Sequence, residues 1–175
     1  CYRGVDNDER RFVLIKEYFP VTLCNGRSPD GDLMPKEGRE VLFKTSRMDF
    51  KDLYDDLHRI TPATGLSQIL DVMEENNTVY AVEETEKGMT LTHYLKLRAR
   101  TLTPVEARTL LQPVMEGVAL LHKAGLIHRG ICPDNIVLPI DGAARLTGYG
   151  TLALRTAGSE LKSQLYPGYA APEQY

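Results

Sequence analysis

The chain has 175 residues, 42% of them hydrophobic, enough to bury a core in one domain or two small lobes. A charged fraction of 26% with a net charge of −3 gives no basic excess for phosphate backbones or anionic lipid. This speaks against nucleic acid and against membrane contact by this segment. Cys1, Cys24 and Cys132 are widely scattered, with no C-x-x-C pair to suggest zinc or a disulfide framework, and they fit a reducing compartment. No apolar run approaches the roughly 20 residues that span a bilayer, and no signal peptide opens the chain. The expected location is the cytoplasm, whether free or as the cytoplasmic part of a larger, membrane-anchored protein. The chain begins at Cys1 and stops at Tyr175 just after a motif, so a fragment is expected.

In chain order, residues 11 to 19, RFVLIKEYF, carry the apolar run Phe12 to Ile15 and are closed by Pro20, which predicts a buried strand. Residues 24 to 38 hold five glycines or prolines among mostly polar neighbours and are expected to form a loop. From Glu40 to Ile60, Phe43, Phe50, Leu53, Tyr54 and Leu57 recur as one face of a helix would, and Thr61-Pro62 ends it. The runs LSQILDVM and TVYAVEE, separated by Glu75-Asn76-Asn77, predict a hairpin. A short helix is expected in MTLTHYLKLRA, residues 89 to 99. A longer one opens at Thr103-Pro104-Val105-Glu106 with capping-box spacing. Its apolar face is read as Leu111, Met115, Val118 and Leu121, with a kink at Pro113 and an end at Ala124-Gly125. Two short strand-like runs around Asp141-Gly142 and an extended small-residue tail follow. Strands first and helices afterwards predict an α+β arrangement of two unlike lobes, residues 1–87 and 88–175, with the joint near Glu84 to Gly88.

Four separated segments, in order, carry a resemblance. Val13-Leu14-Ile15-Lys16 is similar to the strand motif V-A-I-K, whose lysine grips the α- and β-phosphates of ATP. LIHRGICPDNIVL, residues 126 to 138, places His128, Arg129, Pro133 and Asn135 at the spacing of the catalytic loop H-R-D-x-K-P-x-N. Gly148-Tyr149-Gly150 stands where D-F-G is expected, 13 residues after Asn135. Ala171-Pro172-Glu173 matches the A-P-E motif that closes the activation segment. The chain therefore resembles the protein kinases, bacterial serine/threonine kinases especially, over nearly its whole length. The fold this implies is the bilobal kinase-like α+β fold, incomplete at both ends: a small β-rich lobe with one helix but no glycine-rich loop, and a partial helical lobe.

The departures from the family pattern fall on its chemistry. Phosphoryl transfer depends on positioning, on metal neutralisation of developing charge and on a carboxylate that orients the attacking hydroxyl. Position 130, the family's catalytic aspartate, is glycine, and so is position 148, its magnesium-binding aspartate. Asn135 is left as the one ligand of the usual metal pair, and a single neutral amide holds magnesium poorly. Cys132 replaces a lysine that contacts the transferring phosphate. Leu53 or Tyr54, depending on alignment, takes the place of the helical glutamate that pairs with the strand lysine, with Asp55 and Asp56 out of phase. Glu83 falls at the gatekeeper site and is expected to pair with Lys16 in place of phosphate.

The resemblance with these losses implies a pseudokinase, a signalling or protein-interaction module with an unidentified protein partner. No cofactor is expected, and weak ATP or magnesium binding at a vestigial cleft of Lys16, Glu83 and Asn135 is the alternative reading. A third is an atypical active serine/threonine kinase that uses Asp134 or Asp141. His128 and Arg129 are expected to be architectural and Tyr149 to fill the slot of the family phenylalanine, its hydroxyl seeking a partner. Asn135 fits loop capping as well as metal binding. Thr151, Thr156, Ser159 and Ser163 offer phosphorylation sites in the activation-segment stretch.

Overall fold

The computed structural model describes residues 1–85, 87–140, 142–149 and 165–174. Gly150, Asp141 and the candidate phosphorylation sites Thr151, Thr156, Ser159 and Ser163 lie outside the described residues, as does most of the expected extended tail. The described chain groups into two compact units. One contains Cys1–Arg59 and Gln68–Thr85; the other contains Ile60–Ser67 with the described residues from 87 to 149 and 165 to 174.

The first unit is built on a four-stranded antiparallel sheet in the order β1-β2-β6-β5. Its strands are β1 (Tyr2–Asp6), β2 (Arg11–Glu17), β5 (Ile69–Glu75) and β6 (Thr78–Glu84). β2 is the strand read from RFVLIKEYF, two residues shorter and not the buried strand expected. Val13 is its one buried residue and Phe12 is 62% exposed, because the sheet face is not covered at Phe12. The buried Tyr18 just beyond the strand donates its N–H to Val79 O at 2.9 Å. The β5–β6 hairpin turns at Asn76 and Asn77, both with positive φ, which asparagine tolerates better than most residues. Residues 24 to 38 are not a plain loop. They hold a second small hairpin of β3 (Cys24–Arg27) and β4 (Leu33–Pro35), and the turn between them includes Gly31 at φ +97°. The many glycines marked the turn and masked the two short ladders beside it.

Helix α1 spans Glu40–Ile60 and buries Phe43, Ser46, Phe50, Leu53, Tyr54 and Leu57. Its spacing of apolar residues at three and four makes that face continuous. Tyr18 on the sheet side meets Phe43 and Phe50 with ring centroids 5.6 and 5.7 Å apart, and Phe50 meets Tyr54 at 4.6 Å. The Tyr18 hydroxyl and Ser46 Oγ share a hydrogen bond of 2.5 Å, and His58 Nδ1 lies 2.9 Å from Ile69 O, so the helix is fastened along its length.

The second unit carries helices α2 (Leu91–Leu97) and α3 (Pro104–Lys123) and a three-stranded antiparallel sheet of β7 (Gly88–Thr90), β8 (Ile136–Pro139) and β9 (Arg145–Leu146). The α3 capping box is formed as the sequence predicts, with Thr103 and Glu106 bonding each other's backbone. At the other end Gly125, at φ +76°, donates to His122 O and Leu126 donates to Leu121 O, a Schellman arrangement that stops the helix. The helix runs on through Pro113.

The buried face of α3 is Val114, Gly117 and Leu121, and Met115 is 64% exposed, which corrects the expected face. The reason is backbone approach. A Cβ on Gly117 would lie 2.8 Å from Leu66 Cδ2, and one on Gly65 would lie 1.7 Å from Pro113 O, so the segment Ile60–Ser67 packs where two glycines admit it. Leu111, Met115 and Val118 instead line an apolar groove of about 390 Å³ with Ile131 and Ile136.

Candidate functional site

In the first unit, alternation along the paired strands decides what Lys16 meets. Lys16 is opposite Ala81 and Leu14 is opposite Glu83 in the β2–β6 register, which makes Lys16 and Glu83 diagonal neighbours on one face. Lys16 Nζ lies 2.5 Å from Glu83 Oε2, with the two side chains 14% and 3% exposed. Lys16 Nζ is also 5.9 Å from the centroid of the buried Tyr54 ring. The register of α1 thus settles the alignment the sequence left open: Tyr54, not Leu53, is the helical residue at the lysine. Burial works against the Lys16 charge, but Tyr54 and Glu83 outweigh it and hold its pKa above the ordinary 10.5. Burial pushes the Tyr54 hydroxyl above its ordinary 10.0.

In the second unit the loop from His128 to Asn135 is tied together by its own polar groups. His128 is 1% exposed; its Nδ1 accepts from the Gly130 N–H at 3.2 Å and its Nε2 lies 2.8 Å from Thr147 O. A nitrogen that accepts from a backbone N–H carries no proton, so the ring is neutral, protonated on Nε2, and donates to the Thr147 carbonyl. Arg129 follows at φ +59°, a conformation uncommon for a residue with a side chain. Asn135 Nδ2 donates to Gly130 O at 2.7 Å, so both backbone polar groups of Gly130 serve loop architecture. Cys132 is buried, and its carbonyl accepts from the Asn135 N–H at 3.0 Å.

Tyr149 is fully buried and meets His128 edge-on with centroids 5.8 Å apart. Its hydroxyl donates to Ser67 O at 2.9 Å and Leu146 O at 3.1 Å. Those partners are backbone carbonyls, which no residue type announces in a sequence. Leu146 in turn accepts from Ser67 N–H at 3.0 Å and donates to Gly65 O at 2.8 Å, so the 60–67 segment is stitched to the strand that precedes Gly148-Tyr149. Gly148 itself has φ +81°. Ala171 is half-buried and Pro172 and Glu173 are exposed, in a short 3₁₀ turn over Pro172–Gln174.

The protein kinase domain family matches residues 56–174. The chain belongs to that family, and its fold is the mixed α+β protein-kinase-like fold. The serine/threonine-protein kinase PLK4 of Nematostella vectensis is 30% identical over 121 residues, covering 67% of this chain and 12% of that protein. The serine/threonine-protein kinase PknL of Mycobacterium tuberculosis (strain ATCC 25618 / H37Rv) is 31% identical over 113 residues, covering 63% of this chain and 28% of that protein. Among solved structures, PpkA-294 in its apo form superposes with a TM-score of 0.74 and 28% identity over 99% of this chain and 62% of that one. The chain thus spans a minor part of the length of the curated relatives it matches.

A magnesium ion, which the family uses with ATP, does not fit the donor set at Asn135 and Gly148. The set consists of one neutral amide whose nitrogen already donates to Gly130 O, with no carboxylate at position 148. Asp134 adjoins Asn135, but among the described residues no group of three or more His, Cys, Asp or Glu is placed to hold a metal. No helix among the described residues is long and apolar enough to cross a membrane.

Proposed function

We propose that this chain is a catalytically inactive kinase domain, a pseudokinase, that serves as a signalling or protein-interaction module. The observation that carries the reading is the pair of glycines at positions 130 and 148. A hydroxyl nucleophile finds no carboxylate at the first, and a phosphate-bound metal finds none at the second. Two further facts support it. The Lys16 ammonium is already neutralised by Glu83 at 2.5 Å, which competes with any phosphate for the same charge. The backbone groups of Gly130 are committed to His128 and Asn135. The lack of a basic excess supports a protein partner over nucleic acid or anionic lipid, and a cytoplasmic location is part of the same proposal.

The second reading is an active serine/threonine kinase, favoured by the named serine/threonine kinases at about 30% identity. Incubation of purified protein with γ-labelled ATP and magnesium, alone and with a generic serine/threonine substrate, separates the two. The pseudokinase reading expects no label in either protein. Label that requires Lys16 would establish the second.

A further inference from the structure

Gly148 and Asn135 are packed against one another in the second unit. A Cβ built on Gly148 would lie 2.6 Å from Asn135 Cγ, 2.7 Å from Oδ1 and 2.9 Å from Nδ2, all closer than real Cβ atoms come to any neighbour. These three atoms are one planar amide, so the plane covers the side of Gly148 from which a side chain would grow. The amide is held there. Nδ2 donates to Gly130 O at 2.7 Å, the Asn135 N–H donates to Cys132 O at 3.0 Å, and the Asn135 carbonyl accepts from Thr147 N–H at 2.8 Å. The last of these bonds pins the backbone of the loop to the residue beside Gly148, and the bond to Gly130 O orients the side-chain amide.

We propose that the Asn135 amide is a plug that fills the space a side chain at position 148 would need, and that position 148 cannot regain a carboxylate unless Asn135 gives way. The proposal rests on the non-catalytic reading and deepens it: the loss of the metal site is fixed by packing between two residues as well as by one missing side chain. In this chain Asn135 acts as a closing residue and not as a ligand.

A double-mutant cycle tests it. Gly148→Ala adds only the Cβ, and Asn135→Ala removes the three atoms that the Cβ would meet. The cost of a side chain at φ +81° is common to both backgrounds and cancels. Gly148→Ala is expected to lower the melting temperature by at least about 4 °C in the parent, and by at least about 2 °C less in the Asn135→Ala background. Equal losses in the two backgrounds would overturn the plug.

In a second arm, Gly148→Asp with and without Asn135→Ala is melted with and without millimolar Mg²⁺ in the absence of nucleotide. The single variant should show no Mg²⁺-dependent rise, and the double variant should melt above it. A Mg²⁺-dependent rise in the parent or in Gly148→Asp would overturn the proposal. If Gly148→Asp does not fold, the alanine cycle decides alone. Phosphate transfer by the parent would remove the non-catalytic reading without altering the cycle, so the two failures are distinguishable.

Discussion

The ammonium of Lys16 on β2 and the carboxylate of Glu83 on β6 lie 2.5 Å apart, diagonal neighbours on hydrogen-bonded strands of one sheet. Both partners belong to the sheet, so the pair forms without a carboxylate from helix α1, which brings Tyr54 to the lysine instead. Removing one member of a nearly buried pair leaves an uncompensated charge. The substitution Glu83→Leu should therefore destabilise the protein by roughly 3 kcal/mol, read from the denaturant midpoint. The double substitution Lys16→Met with Glu83→Leu should recover most of that loss, since replacing a whole buried pair by apolar residues is often neutral. A midpoint for Glu83→Leu equal to the parent's would count against an energetic role for the pair.

The hydroxyl of Tyr149 joins two carbonyls that anchor the 60–67 segment to β9. Tyr149→Phe keeps the ring contact with His128 and deletes the donor, leaving both buried carbonyls with one partner fewer. A loss of about 1 to 2 kcal/mol in unfolding free energy is expected. Unchanged stability would show that those carbonyls are satisfied in another way.

Glu106 closes the α3 capping box and also receives Arg100 and Arg98 at 2.7 and 3.2 Å. Hydrogen bonding from Arg100, then from Thr103, holds its pKa well below the ordinary 4.5. The folded protein therefore binds this proton less readily than the unfolded chain does. Its contribution is present above pH 4.5 and is lost as pH falls from there through the lowered folded value. The melting temperature of Glu106→Gln should approach that of the parent as pH is lowered below 4.5, in thermal scans at stepped pH. Thr103→Ala, which removes the cap itself, should cost about 1 kcal/mol at neutral pH.

Gly65 lets the 60–67 segment approach α3 so closely that an added Cβ would fall 1.7 Å from Pro113 O, a backbone atom that cannot swing aside. Gly65 also has φ +82°, which a side chain adopts only under strain. Gly65→Ala should destabilise the protein by at least about 3 kcal/mol, whereas Gly38→Ala, at φ +72° with open space around it, should cost only about 1 kcal/mol. Similar denaturation midpoints for the two variants would contradict the close approach.

Periodicity and capping chemistry were enough to read α1 from Glu40 to Ile60, the opening of α3 at Thr103-Pro104 and the Asn76-Asn77 turn, because each is decided by residues near one another in sequence. The Lys16–Glu83 pair was legible too, since the family resemblance put Glu83 at the gatekeeper site and Lys16 at the strand lysine. What escaped depends on distant backbone. The exposed Met115 follows from Leu66 entering against Gly117, and the β3–β4 hairpin follows from pairing inside a stretch whose composition announces only turns. Leu66 and Ser67 read as the start of a strand but are drawn to Leu146 by a short parallel bridge. The contact of Asn135 with Gly148 is of the same kind: 13 residues separate them, and nothing in either residue type foretells that one covers the other.

The most direct measurement is multiple-turnover release of phosphate from Mg²⁺-ATP by the purified chain, compared with Lys16→Ala prepared in parallel. With hydrogen atoms standing where two carboxylates would orient hydroxyl and metal, the two proteins should be indistinguishable from buffer. Turnover by the unaltered chain that disappears in Lys16→Ala would contradict the account.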